Sequence, residues 1–158
     1  LAETGIETWY NYMTGFPEET HDDIRMTVNL ALDLLAGNPN ALNNTFYTLS
    51  PYPGTEIGKL YIDRMPDSLA GWIDFDRHNY NAPWHNTQTR TLLKRLTFSS
   101  KFVGRRLTRL FDNRSLHELA AVLTDKWRNF DFFDDQQWQQ LEKDGWSVLK
   151  ELFGENAY

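Results

Sequence analysis

An α/β fold whose second half is all helix is what this sequence predicts, and three observations carry the prediction. Two short stretches rich in aromatic and β-branched residues, IETWYNYMT at 6–14 and TFYTLS at 45–50, are separated by one long helical repeat. Each stretch runs straight into a Gly/Pro turn, GFPEET or PYPGT, and then into a helix start signal. From residue 66 onward the only sustained periodicity is helical. Strand–helix–strand order requires a crossover, so the two strands are expected to be parallel with the helix on one face.

The opening LAETGI reads as the last turn of a helix ending at Gly5, with no start before it, which predicts a piece of a longer chain. After the first strand, Thr20 and Asp23 form a capping box, and the helix continues to about residue 35. Ile24, Val28, Ala31, Leu32 and Leu35 share one face, and the polar stripe of Asp22, Arg25, Asn29 and Asp33 is narrow, as on a helix covered from most sides. Gly37 and Pro39 stop it, the second strand follows, and a short helix is expected over 55–63. Two strands make no self-sufficient sheet, so further strands lie upstream of Leu1 or on another chain.

Residues 66–86 read as an irregular, aromatic and amide-rich connector. A helix is expected over 87–111, with Leu92, Leu96, Val103, Leu107 and Leu110 inward. Arg90, Lys94, Lys101 and Arg105 stand opposite, flanked by Arg95, Arg106 and Arg109. Ser115 and Glu118 form a second capping box, starting a helix that runs to Trp127. A last helix covers 135–153, with Trp138, Leu141, Leu149 and Leu152 inward and Gly145 as a weak point. The organisation is therefore 1–65 for the β/α units, 66–86 for the connector and 87–158 for the helical region.

Composition narrows the function. The chain has 158 residues, 41% of them hydrophobic and 15% aromatic, enough for a real core. A net charge of −6 argues against nucleic acid and anionic membranes as partners. The absence of cysteine removes disulfides, thiolate nucleophiles and cysteine-ligated metals from this chain. No apolar run has the length of a membrane span and no signal-peptide pattern opens the sequence, so a cytoplasmic location is expected.

The two Gly/Pro loops are the most informative feature. Both follow the C-terminal ends of strands, the edge at which α/β folds bind ligands. Gly15 permits positive φ or close approach of a ligand, Pro17 fixes the turn, and Glu18 and Glu19 precede a helix N-terminus, where carboxylates are favoured. On the residues alone, these are equally good βα turns with a cap.

Their order and spacing resemble the final third of the radical S-adenosylmethionine barrel, especially its cobalamin-binding subclass. There the pattern is Gly-Phe-Pro-Gly-Glu-Thr, an amphipathic helix, then a strand ending in Pro-Tyr-Pro-Gly-Thr. The matching residues are Gly15, Phe16, Pro17, Glu19 and Thr20, then Pro51, Tyr52, Pro53, Gly54 and Thr55; the resemblance covers residues 1–65. It implies the last two β/α units of a partial barrel followed by a mainly helical extension. It also implies a parent iron–sulfur enzyme that uses a [4Fe–4S] cluster to cleave S-adenosylmethionine reductively, as a methyltransferase or as an oxidoreductase of the oxidative cyclase type. Carried over, Gly15 and Glu19 are the first-loop cofactor candidates, and Leu49, Ser50 and Pro51 form the adenine-side wall. Two departures matter: Glu18 stands where the family has glycine, and the cluster-binding cysteines are missing. Cluster ligands and any cobalamin domain would lie in the upstream part of the same polypeptide, and this chain alone is not expected to be catalytic.

In the connector, WIDFDRHNYNAPWH offers Trp72, His78, Tyr80, Trp84 and His85 as substrate-facing candidates of a lid over a large, flat, apolar substrate; a loop pinned outside by its rings is the plainer reading of the same residues. Asp74, Asp76, His78 and His85 match no known metal-ligand spacing, so no metal site is assigned. The basic stripe of the following helix is a solvated face or meets an acidic partner or an anionic substrate. An alternative to the enzyme reading is a helical protein-interaction module with a vestigial barrel edge. Unpaired strand edges further imply that the isolated chain forms a dimer through them.

Overall fold

The structure, a computed structural model, describes residues 2–77 and 81–154. After a single 3₁₀ turn, strand β1 (Thr8–Thr14) leads through the first loop to helix α1 (His21–Gly37) and strand β2 (Ala41–Thr48). The strands pair in parallel, Thr8 with Ala41 at one end and Thr14 with Thr48 at the other, with an irregularity between Tyr10 and Tyr12. Helix α1 begins where the capping box places it: the Thr20 hydroxyl accepts from the Asp23 N–H, and the Asp23 carboxylate accepts from the Thr20 N–H. Its buried residues are Ile24, Val28, Ala31 and Leu35.

Strand β2 starts earlier and ends earlier than the stretch 45–50 suggested. Asparagines hid its first half, yet Asn43 is buried and fully engaged. Its Oδ1 accepts from the Tyr12 hydroxyl at 2.9 Å, and its amide donates to the Ala31 carbonyl at 3.1 Å. Two hydrogen bonds meet the cost of burying the amide. Burial pushes the Tyr12 hydroxyl up to about 12, with Tyr10 adding to the effect.

Beyond β2 come α2 (Glu56–Leu60), a 3₁₀ turn (Ile62–Arg64) and α3 (Leu69–Arg77). Helix α3 corrects the expectation of an irregular connector over 66–86. The Ser68 hydroxyl accepts from the Gly71 N–H at 3.2 Å and the Ser68 carbonyl from the Trp72 N–H at 3.0 Å, starting a helix that Gly71 and two aspartates disguise. The remaining helices are α4 (Thr87–Val103), α5 (Arg106–Leu110), α6 (Arg114–Arg128) and α7 (Asp135–Phe153). The single helix expected over 87–111 is thus two. It breaks at Gly104, where Arg105 takes φ +64°, and the turn leaves Leu110 exposed rather than inward. Helix α6 is capped by Asn113, whose Oδ1 accepts from Leu116 N–H at 2.9 Å, not by the expected Ser115 box.

The helices cover one face and one edge of the strand pair. On the covered face the Tyr12 and Phe46 rings stack at 4.7 Å, and Trp127 of α6 meets Phe46 edge-on at 5.2 Å. The Trp127 indole donates to Ser99 Oγ at 2.7 Å, so its polar end is satisfied within the core. At the outer edge of β2, the Asn43 N–H donates to the Gly104 carbonyl (3.1 Å) and the Phe46 N–H to Ser100 Oγ (3.2 Å), while Thr97 Oγ1 donates to the Phe46 carbonyl (3.3 Å). Helix α4 and the turn after it therefore take the place of a neighbouring strand. On β1, Trp9 and Met13 are exposed, as is Tyr47 beside Met13 on β2, and no other strand pairs with β1 among the described residues.

Gly145, expected to weaken α7, is a contact residue. A Cβ there would lie 2.4 Å from Phe98 Cζ and 3.0 Å from Phe102 Cζ, so the helix packs at a distance that only glycine allows. Arg95, expected to flank a basic face, is buried. Its guanidinium donates to the Phe132 carbonyl (2.6 Å) and to Asp135 (2.7 Å). Others of the basic series are also occupied internally: Arg105 and Arg109 donate to the Asn38 and Pro39 carbonyls beyond α1, and Lys101 lies over the Trp146 ring. Cations at that end complement the helix macrodipole. Among the described residues no helix is long and apolar enough to cross a membrane.

Candidate functional site at the strand ends

Because Thr14 and Thr48 are register partners, the two Gly/Pro loops leave the sheet side by side. Gly15 turns immediately with φ +84°. A Cβ there would come within 2.7 Å of Thr48 Cγ2 and 3.2 Å of His85 Cε1, so both conformation and space require glycine.

Both polar groups of Gly15 are engaged. Its N–H donates to the Glu19 carboxylate, which also accepts from Phe16 N–H at 3.4 Å. Burial raises the Glu19 carboxyl above its ordinary value; the two backbone bonds oppose that shift and nearby Asp23 adds to it. The Gly15 carbonyl accepts from the Trp84 indole at 2.9 Å, and His85 Nε2 lies 3.0 Å from the same oxygen. A carbonyl only accepts, so the contact places the proton of a neutral His85 on Nε2.

In the second loop, the Leu49 N–H donates to the Thr14 carbonyl at 2.9 Å, extending the sheet by one bond, and Pro51 is buried. Ser50 Oγ and the Tyr52 hydroxyl both donate to Asp76 of α3, at 3.2 and 2.7 Å. The bond to Asp76 raises the Tyr52 phenol above its ordinary value. Thr55 caps α2 by accepting from Gly58 N–H at 3.0 Å. Between the first loop and α2 lies a groove of about 440 Å³, lined by Phe16, Pro17, Glu18, Glu19, Asp23, Ile57, Leu60 and Tyr61.

The connector meets both loops. Trp84 packs on Tyr61 at 4.6 Å, Trp72 on Tyr52 at 6.4 Å and Phe75 at 5.7 Å, and His85 is 5% exposed. His78 and Tyr80 lie outside the described residues. The structure thus gathers Gly15, Trp84 and His85 at the first loop and places Trp72 by the second. Asp76 and Tyr61 were not singled out as loop contacts. The sequence marks Asp76 only as a possible metal ligand, and one aspartate in a polar stretch carries no sequence signal for a hydroxyl partner 26 residues away. Among the described residues no group of three or more metal-ligating side chains converges.

Toward a bound molecule these residues offer a wall, not polar ligands. The Gly15 N–H and carbonyl and one Glu19 oxygen are already committed within the fold. What they offer a bound molecule is shape: a backbone without Cβ at Gly15 and ring surfaces at Trp84 and Tyr61. With no cysteine, this chain has no thiolate for an iron–sulfur cluster. Comparison with protein-family models, curated proteins and solved structures gives no match.

Proposed function

We propose that this chain is the C-terminal portion of a radical S-adenosylmethionine enzyme: the last two β/α units of its partial barrel plus a helical cap. The observation that supports this most is the adjacency of the two motif loops at the C-terminal ends of parallel strands, with Gly15 in positive φ. The asymmetry of the pair also supports it. The outer edge of β2 is closed by α4, as suits a final strand, whereas β1 has a side where a preceding strand would pair.

In this reading the cluster and S-adenosylmethionine supply radical chemistry, and the upstream part of the polypeptide holds them. This chain's residues shape one wall. Glu19 braces the first turn, Trp84 and His85 fix its carbonyl, and Leu49, Ser50 and Pro51 form the neighbouring surface. The reaction class is methyl transfer or oxidative ring formation on a small-molecule substrate in the cytoplasm, with the isolated chain inactive.

The test is the reading frame upstream of the Leu1 codon. A Cys-x3-Cys-x2-Cys motif there, with cluster signals and 5′-deoxyadenosine formation by the complete protein, is the expected outcome. A frame without such cysteines overturns it and leaves the interaction-module alternative, which the exposed Trp9, Met13 and Tyr47 surface favours. Under that alternative, or if the isolated chain pairs with itself along β1, sedimentation velocity shows concentration-dependent association, and substituting Met13 with lysine reduces it.

A further inference from the structure

We propose that the connector is a two-part device: a fixed mount, Trp84–His85, and a detachable leaf, α3, latched over the second loop by Asp76. The inference concerns this chain alone and stands whether or not the barrel reading does.

The two parts differ in how they are held. The mount is built into the fold: His85 and Ala82 are buried, two ring N–H groups converge on the Gly15 carbonyl, and Trp84 is backed by Tyr61. The leaf has no buried residue over 69–76, and Leu69 and Ile73, one turn apart, are 78% and 50% exposed. Its ties to the second loop among the described residues include the Ser50 and Tyr52 bonds to Asp76, both solvent-exposed, and the Trp72 ring beside Tyr52. Water competes for such bonds, so their net contribution is small. Lifting α3 would free the Ser50 and Tyr52 hydroxyls without disturbing the Gly15 turn, because the mount grips the other loop. A ligand approaching the strand ends would then meet a second loop that opens and a first loop that does not.

Native-state hydrogen exchange on this chain tests the device. Amides of α3 should exchange through a local opening that is almost independent of denaturant, at least about 100-fold faster than those of α4 and α6. Asp76→Ala should speed exchange in α3 and at Tyr52 by roughly tenfold, with α4 and α6, which open only after the latch is broken, speeding by no more than that factor and staying far slower than α3. Tyr52→Phe should reproduce part of that effect, and Trp84→Phe should leave α3 exchange unaltered. Exchange of α3 only through global unfolding overturns the proposal. So does the absence of any Asp76→Ala effect on α3, or an effect of Trp84→Phe on α3 as large as that of Asp76→Ala.

Discussion

The layer that α4, α6 and α7 build against β2 and the segment from Pro51 to His85 use the same kinds of residue to opposite ends. Both carry tryptophan among other rings, phenylalanine in the layer and tyrosine in the segment. In the helical layer Trp127 and Trp138 are fully buried, with indole N–H groups bonded to Ser99 Oγ and the Asp131 carbonyl. In the segment, Trp72 and Tyr52 contact each other at the surface and Leu60 and Leu69 are open to water. Rings alone do not make a core. What separates the regions is whether a second layer closes over them, and that decides which region resists unfolding and which is free to rearrange near a ligand edge.

The sharpest way to break this comparison is to remove one tryptophan from each side. Trp127→Ala should cost about 3–5 kcal/mol in urea unfolding, and Trp72→Ala about 1 kcal/mol or less. Equal costs would mean that the segment is packed as firmly as the core. Next in size is Gly15→Ala, which forces an alanine into φ +84° against Thr48 and His85. A loss of roughly 2–4 kcal/mol is expected, with chemical-shift changes centred on Thr48, Trp84 and His85. Gly145→Ala should destabilise by about 1–2 kcal/mol, because overpacking against Phe98 outweighs the gain in helix propensity. An increase in stability would show that α7 rides loosely on α4.

The smallest effect concerns pH. An unfolded tyrosine ionises at its ordinary value of 10.0, and Tyr12 in the fold at about 12, chiefly because it is buried. Between those values only the unfolded chain sheds the proton, so stability falls as pH rises through that window and is unaffected by Tyr12 below it. The alkaline limb of a stability-versus-pH curve should be flatter for Tyr12→Phe than for the unaltered chain.

Much of the architecture was legible wherever local chemistry and tertiary demand agree. The Thr20 box fixed the start of α1, and the range 135–153 of α7 followed from its apolar repeat. The parallel pairing followed from strand–helix–strand order. Legibility failed where a residue's role is set by a distant partner. Asn43 looks like a loop residue until Tyr12 and the Ala31 carbonyl surround it. Arg95 looks like a surface cation until the Phe132 carbonyl and Asp135 appear beside it. The break at Gly104 is equally non-local: a Cβ there would sit 2.4 Å from the Asn43 carbonyl oxygen. At the candidate site, the sequence pointed to Gly15 and to the rings of the connector. It gave no hint that Glu19 folds back onto its own turn or that Asp76 ties α3 to the second loop.

The closure of β2 by Ser100, Thr97 and the Gly104 carbonyl also gives the sheet a direction of growth. It works as a chain terminator does in polymerisation: one end of the ladder is spent, and any added strand must join at β1. Such a sheet can be extended from one side but cannot propagate through the molecule into an open fibre of stacked copies.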